Sequence, residues 1–165
     1  MACLEIDGKQ FEARCDFKFE RTAEAKYNEP DADGNKQGGL RTIYLNLLEQ
    51  RKLLYLVGFW DCALSHLKDK KPSVEKIEEA LEKVINEEGA KGTERLYKEA
   101  FQAVDQSGFF IVQVKNIWKE FNYLKKPISK RNGETDEEFR DRSLKREEIQ
   151  EMVERLENQR KEMNK

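Results

Sequence analysis

A single histidine is present in the whole chain of 165 residues. His66 lies beside Leu67 in helical register, with no neighbouring Asp-Ser or Cys pattern of a nucleophilic site. It reads as a structural or surface histidine, because a general base needs a substrate and an orienting partner. The sequence has no CxxC, no HExxH and no paired His and Cys spacing that would hold a metal. Gly38-Gly39 lacks the lysine and hydroxyl that a phosphate loop requires. Charge of one sign is missing too: 31 basic and 33 acidic residues leave a net charge of -2, which argues against a dedicated polyanion binder. Most carboxylates have lysines three or four residues away on helix faces, the pattern of solvation. No stretch of about 18 apolar residues occurs and the N-terminus lacks signal-peptide order, so a cytoplasmic protein is expected. No catalytic, cofactor-binding or metal residue is assigned, and no enzyme is expected.

Among what is present, the opening "LEIDGKQFEARCDFKF" alternates apolar and polar residues on both sides of Asp7-Gly8. A two-residue turn there pairs Ile6 with Lys9 and Leu4 with Phe11, leaving Leu4, Ile6, Phe11, Ala13 and Cys15 on one face. Cys3 falls on the other face, so a Cys3–Cys15 bridge would break the pattern. The three cysteines, Cys3, Cys15 and Cys62, read as reduced thiols. An isolated ribbon is marginal in water, so helices must cover it.

Asp16 is a plausible N-cap for a helix through about Tyr27. The polar loop Asn28 to Gly39 carries "DADGN", with Asp31, Asp33 and Asn35 at the first, third and fifth positions of a calcium loop. Lys36 in place of the glycine and Thr42 in place of the bidentate glutamate exclude that reading. From Leu40 to Lys70 the spacing is helical, with Ile43, Leu47, Leu48, Leu54, Val57, Leu64 and Leu67 inward. Gly58 or the polar "EQRK" is the candidate break. Ser73 caps a helix with the stripe Ile77, Ala80, Leu81, Val84 and Ile85, ended by Gly89, and Thr93 caps the next, with Leu96, Ala100 and Phe101 inward. Phe109 to Val114 could be strand or helix; the stripe Phe110, Val114, Ile117, Phe121 and Leu124 favours helix. Phe109 and Trp118 flank it, completing the core or forming an exposed docking surface.

At Lys125 the composition changes: the last 41 residues hold 12 basic, 11 acidic and eight apolar residues. A core cannot be built from those alone. The expected organisation is a compact region 1–124, a linker 125–135 and a charged helical extension 136–165. Thr135 and Glu138 form a capping box for a helix from Asp136 to about Arg160, whose short seam is Ile149, Met152, Val153 and Leu156. The expected fold class is mostly α (α+β): a small N-terminal β-hairpin packed on a bundle of about five helices, plus the charged C-terminal helix. Basic spots at Lys68–Lys71 and Lys125–Arg131 sit at helix ends, where lysines meet the carbonyl dipole without needing a partner.

The order of these features resembles the tail assembly chaperones of long-tailed bacteriophages, especially those of Gram-positive hosts. "LEIDGKQFEARCDFKF" is followed by "GGLRTIYLNLLEQRKLLYLVGFWDCAL", "KPSVEKIEEALEKVINEEG" and "EAFQAVDQSGFFIVQVKNIW". The similarity spans about Leu4 to Tyr123, with the I-D-G-K-x-F-E hairpin and the S-G-F-F its most telling pieces. The resemblance implies a cytoplasmic, oligomeric, non-enzymatic protein that coats the tape measure protein, helps recruit tail tube protein and is absent from the mature virion. In such families a longer form often arises by frameshifting, and the change at Lys125 fits such a join or a tail encoded in one frame. Given that role, client contacts are expected at Phe109, Phe110, Trp118, Phe121 and the hairpin's neighbourhood, and tube contacts at Ile149, Met152, Val153 and Leu156. A structural head or tail adaptor and, behind it, a small nucleic-acid-binding regulator are the alternatives.

Overall fold

A computed structural model describes residues 1–165. Strands β1 (Cys3–Ile6) and β2 (Lys9–Glu12) form a two-stranded antiparallel sheet. Its register, with Leu4 opposite Phe11 and Ile6 opposite Lys9, is the one expected from a turn at Asp7-Gly8. Leu4 and Ile6 are buried, each contributing roughly 1.5–3 kcal/mol against leaving it in water.

Helix α1 (Phe17–Lys26) starts at Asp16, whose carboxylate accepts from the amides of Lys18 and Phe19. The residues from Gly39 onward form α2 (Gly39–Leu45), which widens into a π-helical turn over Asn46–Gln50. Arg51 then adopts left-handed φ of 48°, and α3 (Leu53–Ala63) sets off in a new direction. The break therefore falls in "EQRK", and the helix runs uninterrupted through Gly58. The wider turn lets the adjacent Leu47 and Leu48 both point into the core. Leu54, expected inward, is exposed together with Leu53, because the reversal at Arg51 re-aims the first turn of α3. A 3₁₀ turn over Ser65–Lys70 follows.

Helix α4 (Val74–Asp105) begins at Ser73, whose hydroxyl accepts from the Lys76 amide. Gly89 kinks it with φ 62° and ψ -143°, a conformation that only glycine adopts freely. It ends the first helical run as expected and a second begins at once; Thr93 is not the cap of that second run but donates back to the Gly89 carbonyl at 3.0 Å. The hairpin's cover comes principally from α4 rather than from the adjacent α1.

Helix α5 (Ile111–Leu124) resolves the ambiguous segment as helix, with Phe109 and Phe110 in the turn just before it. Helix α6 (Asp136–Met163) opens with the expected capping box, Glu138 amide to Thr135 Oγ1 at 3.1 Å and Thr135 amide to Glu138 Oε2 at 2.9 Å. It packs on α5, the π turn and the end of α4, and Val153, Leu156 and Met163 join the same apolar cluster as the hairpin and the other helices. The architecture is thus mostly α with a small hairpin, five helices and the charged sixth. No helix is long and apolar enough to cross a membrane.

Candidate interaction surfaces

The S-G-F-F segment is a small device for sorting two adjacent aromatics. Ser107 Oγ accepts from the amides of Phe109 at 3.2 Å and Phe110 at 3.4 Å, holding the chain in a turn. Phe110 is thereby sent into the core, edge-on to Phe19 with centroids 5.3 Å apart, while Phe109 stays at the surface edge-on to Phe17 at 4.9 Å. Phe17, Phe109, Ile111 and Val112 are all exposed. They stand where the hairpin, the start of α1 and the start of α5 come close together. Sequence spacing missed Phe17, Ile111 and Val112, since they lie off the inward stripes on which attention falls.

Of the four aromatics expected to touch a client, only Phe109 is at the surface; Phe110 is 0% exposed, Phe121 5% and Trp118 7%. Trp118 is held by a polar chain that spans four helices. Its indole Nε1 donates to the Tyr44 hydroxyl at 2.7 Å, Tyr44 donates to Asp105 Oδ1 at 2.6 Å, and Arg160 Nε reaches the same carboxylate at 2.9 Å. Asn164 adds a donor to Asp105 Oδ2 at 2.8 Å. Burial first, then the hydrogen bond to Asp105, pushes the Tyr44 hydroxyl far above the ordinary tyrosine range, so it remains a donor. The Arg160 guanidinium lies 4.8 Å from the Trp118 ring centre. The partners of this chain are 55 to 74 residues apart in sequence, which no local pattern reveals.

The seam residues of α6 split in the same way. Val153 and Leu156 are buried against the rest of the chain, and Ile149 and Met152 are half-buried.

Leu53 and Leu54 rim a second apolar groove, floored by Leu56, Val57, Leu81 and Ile85 and edged by Glu78 and Glu82. Four side chains of the basic spots find partners within the molecule. Lys71 pairs with Asp61, Lys125 with Glu157 at 2.9 Å and Lys130 with Asp136 at 2.5 Å, and Lys126 lies 5.5 Å from the Tyr123 ring centre. In the acidic loop, Asp31 Oδ1 accepts from the amides of Asp33 and Asn35, which makes it a turn residue. His66 Nδ1 lies 3.0 Å from the Ala63 carbonyl.

A family model described as "Phage tail assembly chaperone protein, TAC" matches residues 3–119. No curated protein and no solved structure matches the chain.

Proposed function

Since the chain belongs to the phage tail assembly chaperone family, we propose that it binds and solubilises the tape measure protein in the host cytoplasm and helps recruit tail tube protein during tail assembly. It works without catalysis, as a self-associating carrier, and leaves before the virion is complete. The supporting observation is the exposure of Phe17, Phe109, Ile111 and Val112, with Phe17 edge-on to Phe109. A soluble protein gains nothing by displaying such side chains together unless a partner covers them. A long client helix with its own apolar stripe is such a partner. Weak patches repeated on several copies hold it by avidity and still let go one at a time.

In this reading Phe109 makes client contact from the surface, and Phe110, Trp118 and Phe121 form the aromatic face beneath. Ile149, Met152, Val153 and Leu156 are the tube contacts once α6 turns outward.

Co-expression with the tape measure protein of the same phage tests the proposal. The expected result is a soluble tape measure that co-purifies with this chain. A tape measure that stays insoluble and unbound, or finding this chain in purified virions, overturns it in favour of a structural adaptor.

A further inference from the structure

Helix α6 lies outside the residues that the family model matches, yet it covers the α5 face that carries Trp118. The way it is held differs from the way the core is held. Val153, Leu156 and Met163 are fully buried along its length, and Ile149 and Met152 pack partly against the core. Polar ties run along the remainder. Arg146 donates to the Leu124 carbonyl and Gln150 to the Lys125 carbonyl, both at 2.7 Å. Arg155 pairs with Glu49 at 2.9 Å, and Arg160 with Asp105 at 2.9 Å.

Such donors and acceptors are taken up by water when a helix lifts away, so breaking them costs little net free energy. The exposed Arg155–Glu49 pair weakens further as salt rises, whereas Arg160 holds a carboxylate that is only 4% exposed. The segment before α6 is tied to α6 itself: Arg142 binds Glu134 at 2.5 Å and the Ser129 carbonyl at 2.9 Å. Much of the connection would therefore move with the helix. Over Trp118 the cover is the Arg160 guanidinium, whose charge is readily solvated.

We infer that α6 is a reversible strap: docked, it masks the Trp118 face of α5 and its own apolar seam, and a single opening frees the two surfaces together. The identity of what then binds rests on the function proposed above, with a client helix on the α5 face and tube subunits on the seam. Because both surfaces become free in one step, occupation of either stabilises the open form and favours occupation of the other. Tube recruitment is thereby tied to client loading.

Hydrogen exchange of the full chain, followed by mass spectrometry, tests the strap without any partner. Residues 146–163 should exchange through an opening that leaves 55–63 and 96–104 protected. Raising salt should speed that opening, and Arg155→Glu, which removes the exposed pair with Glu49, should speed it by about threefold, the size of one weak ion pair. Exchange of all three segments in one cooperative step, or loss of the whole fold in the variant, makes α6 an integral part of the core and overturns the strap.

The coupling has its own test. In a Cys3→Ser background, Glu49→Cys and Arg155→Cys bridged by a bis-maleimide lock α6 down. The locked chain should lose capture of tube protein and hold tape measure severalfold more weakly, through the exposed Phe17 and Val112 side chains alone, while Arg155→Glu should strengthen both. Equal capture by locked and unlocked chains overturns the masking. Should no version capture tape measure, the proposed function fails, and the exchange result still decides the strap.

Discussion

Asp61 joins three parts of the molecule through one side chain. Its carboxylate is 1% exposed, accepts from the Tyr27 hydroxyl at 2.9 Å and from Lys26 at 3.0 Å, and pairs with Lys71. Burial alone would raise its pKa; Lys71, Lys26 and Tyr27 more than offset that and hold the carboxyl below its ordinary value. A lowered folded-state pKa contributes stability that is complete above the unfolded value near ~4 and is lost as pH falls through the folded one. Stability should therefore decline on acidification below about pH 4, and Asp61→Asn should flatten that decline and cost about 2–3 kcal/mol at neutral pH. Urea titrations of both proteins across pH measure this; identical pH profiles would remove Asp61 from the account. The thiols separate just as clearly. Cys3 is exposed, Cys15 is half-buried with its pKa pushed up to about 11 chiefly by burial, and Cys62 is buried and pushed higher still. Alkylation at pH 8 should modify Cys3 first, Cys15 slowly and Cys62 only on unfolding; mass spectrometry at timed intervals reads the order.

At the scale of elements, α1 and α2 approach so closely that a single carbon decides the fit. A Cβ on Gly39 would stand 2.1 Å from the Ala23 carbonyl carbon and oxygen, closer than any side chain can relieve. Gly39→Ala should cost about 3 kcal/mol, read as a lowered urea midpoint with unchanged slope; a neutral substitution would mean that the two helices pack less tightly than described. The local reading succeeded wherever the determining chemistry lies within a turn or two. Asp7-Gly8 set the hairpin register, Asp16, Ser73 and Thr135 set helix starts, and the spacing from Phe110 to Leu124 marked α5. It failed where a distant group chose the outcome. Nothing local says that "EQRK" rather than Gly58 breaks the helix, because the Tyr97 hydroxyl, 46 residues on, holds the Arg51 carbonyl.

At the scale of the whole molecule, one apolar cluster takes side chains from the hairpin and all six helices, so substitutions divide by which side of that cluster they touch. Phe110→Asp places a charge among Phe19 and its neighbours with no partner and should abolish folding, since the penalty is comparable with the whole stability of about 5–15 kcal/mol. Phe17→Asp with Val112→Asp should leave the circular dichroism spectrum and melting temperature nearly unchanged while removing tape measure capture. If the double variant captures as well as the parent, the client lies elsewhere, and the groove at Leu53 and Leu54 is the next surface to change.

The sequence by itself determined the element types, most of their starting residues, the hairpin's buried face and the chaperone resemblance. Those depend on alternation, helical periodicity and caps that act within a few residues. Only the tertiary structure decided that Trp118 and Phe121 are covered while Phe17 and Val112 are not, that α4 closes over the hairpin, and that α6 lies on α5. Burial of a side chain is set by what crosses over it, and the chain of Trp118, Tyr44, Asp105 and Arg160 that holds this arrangement joins residues far apart in sequence.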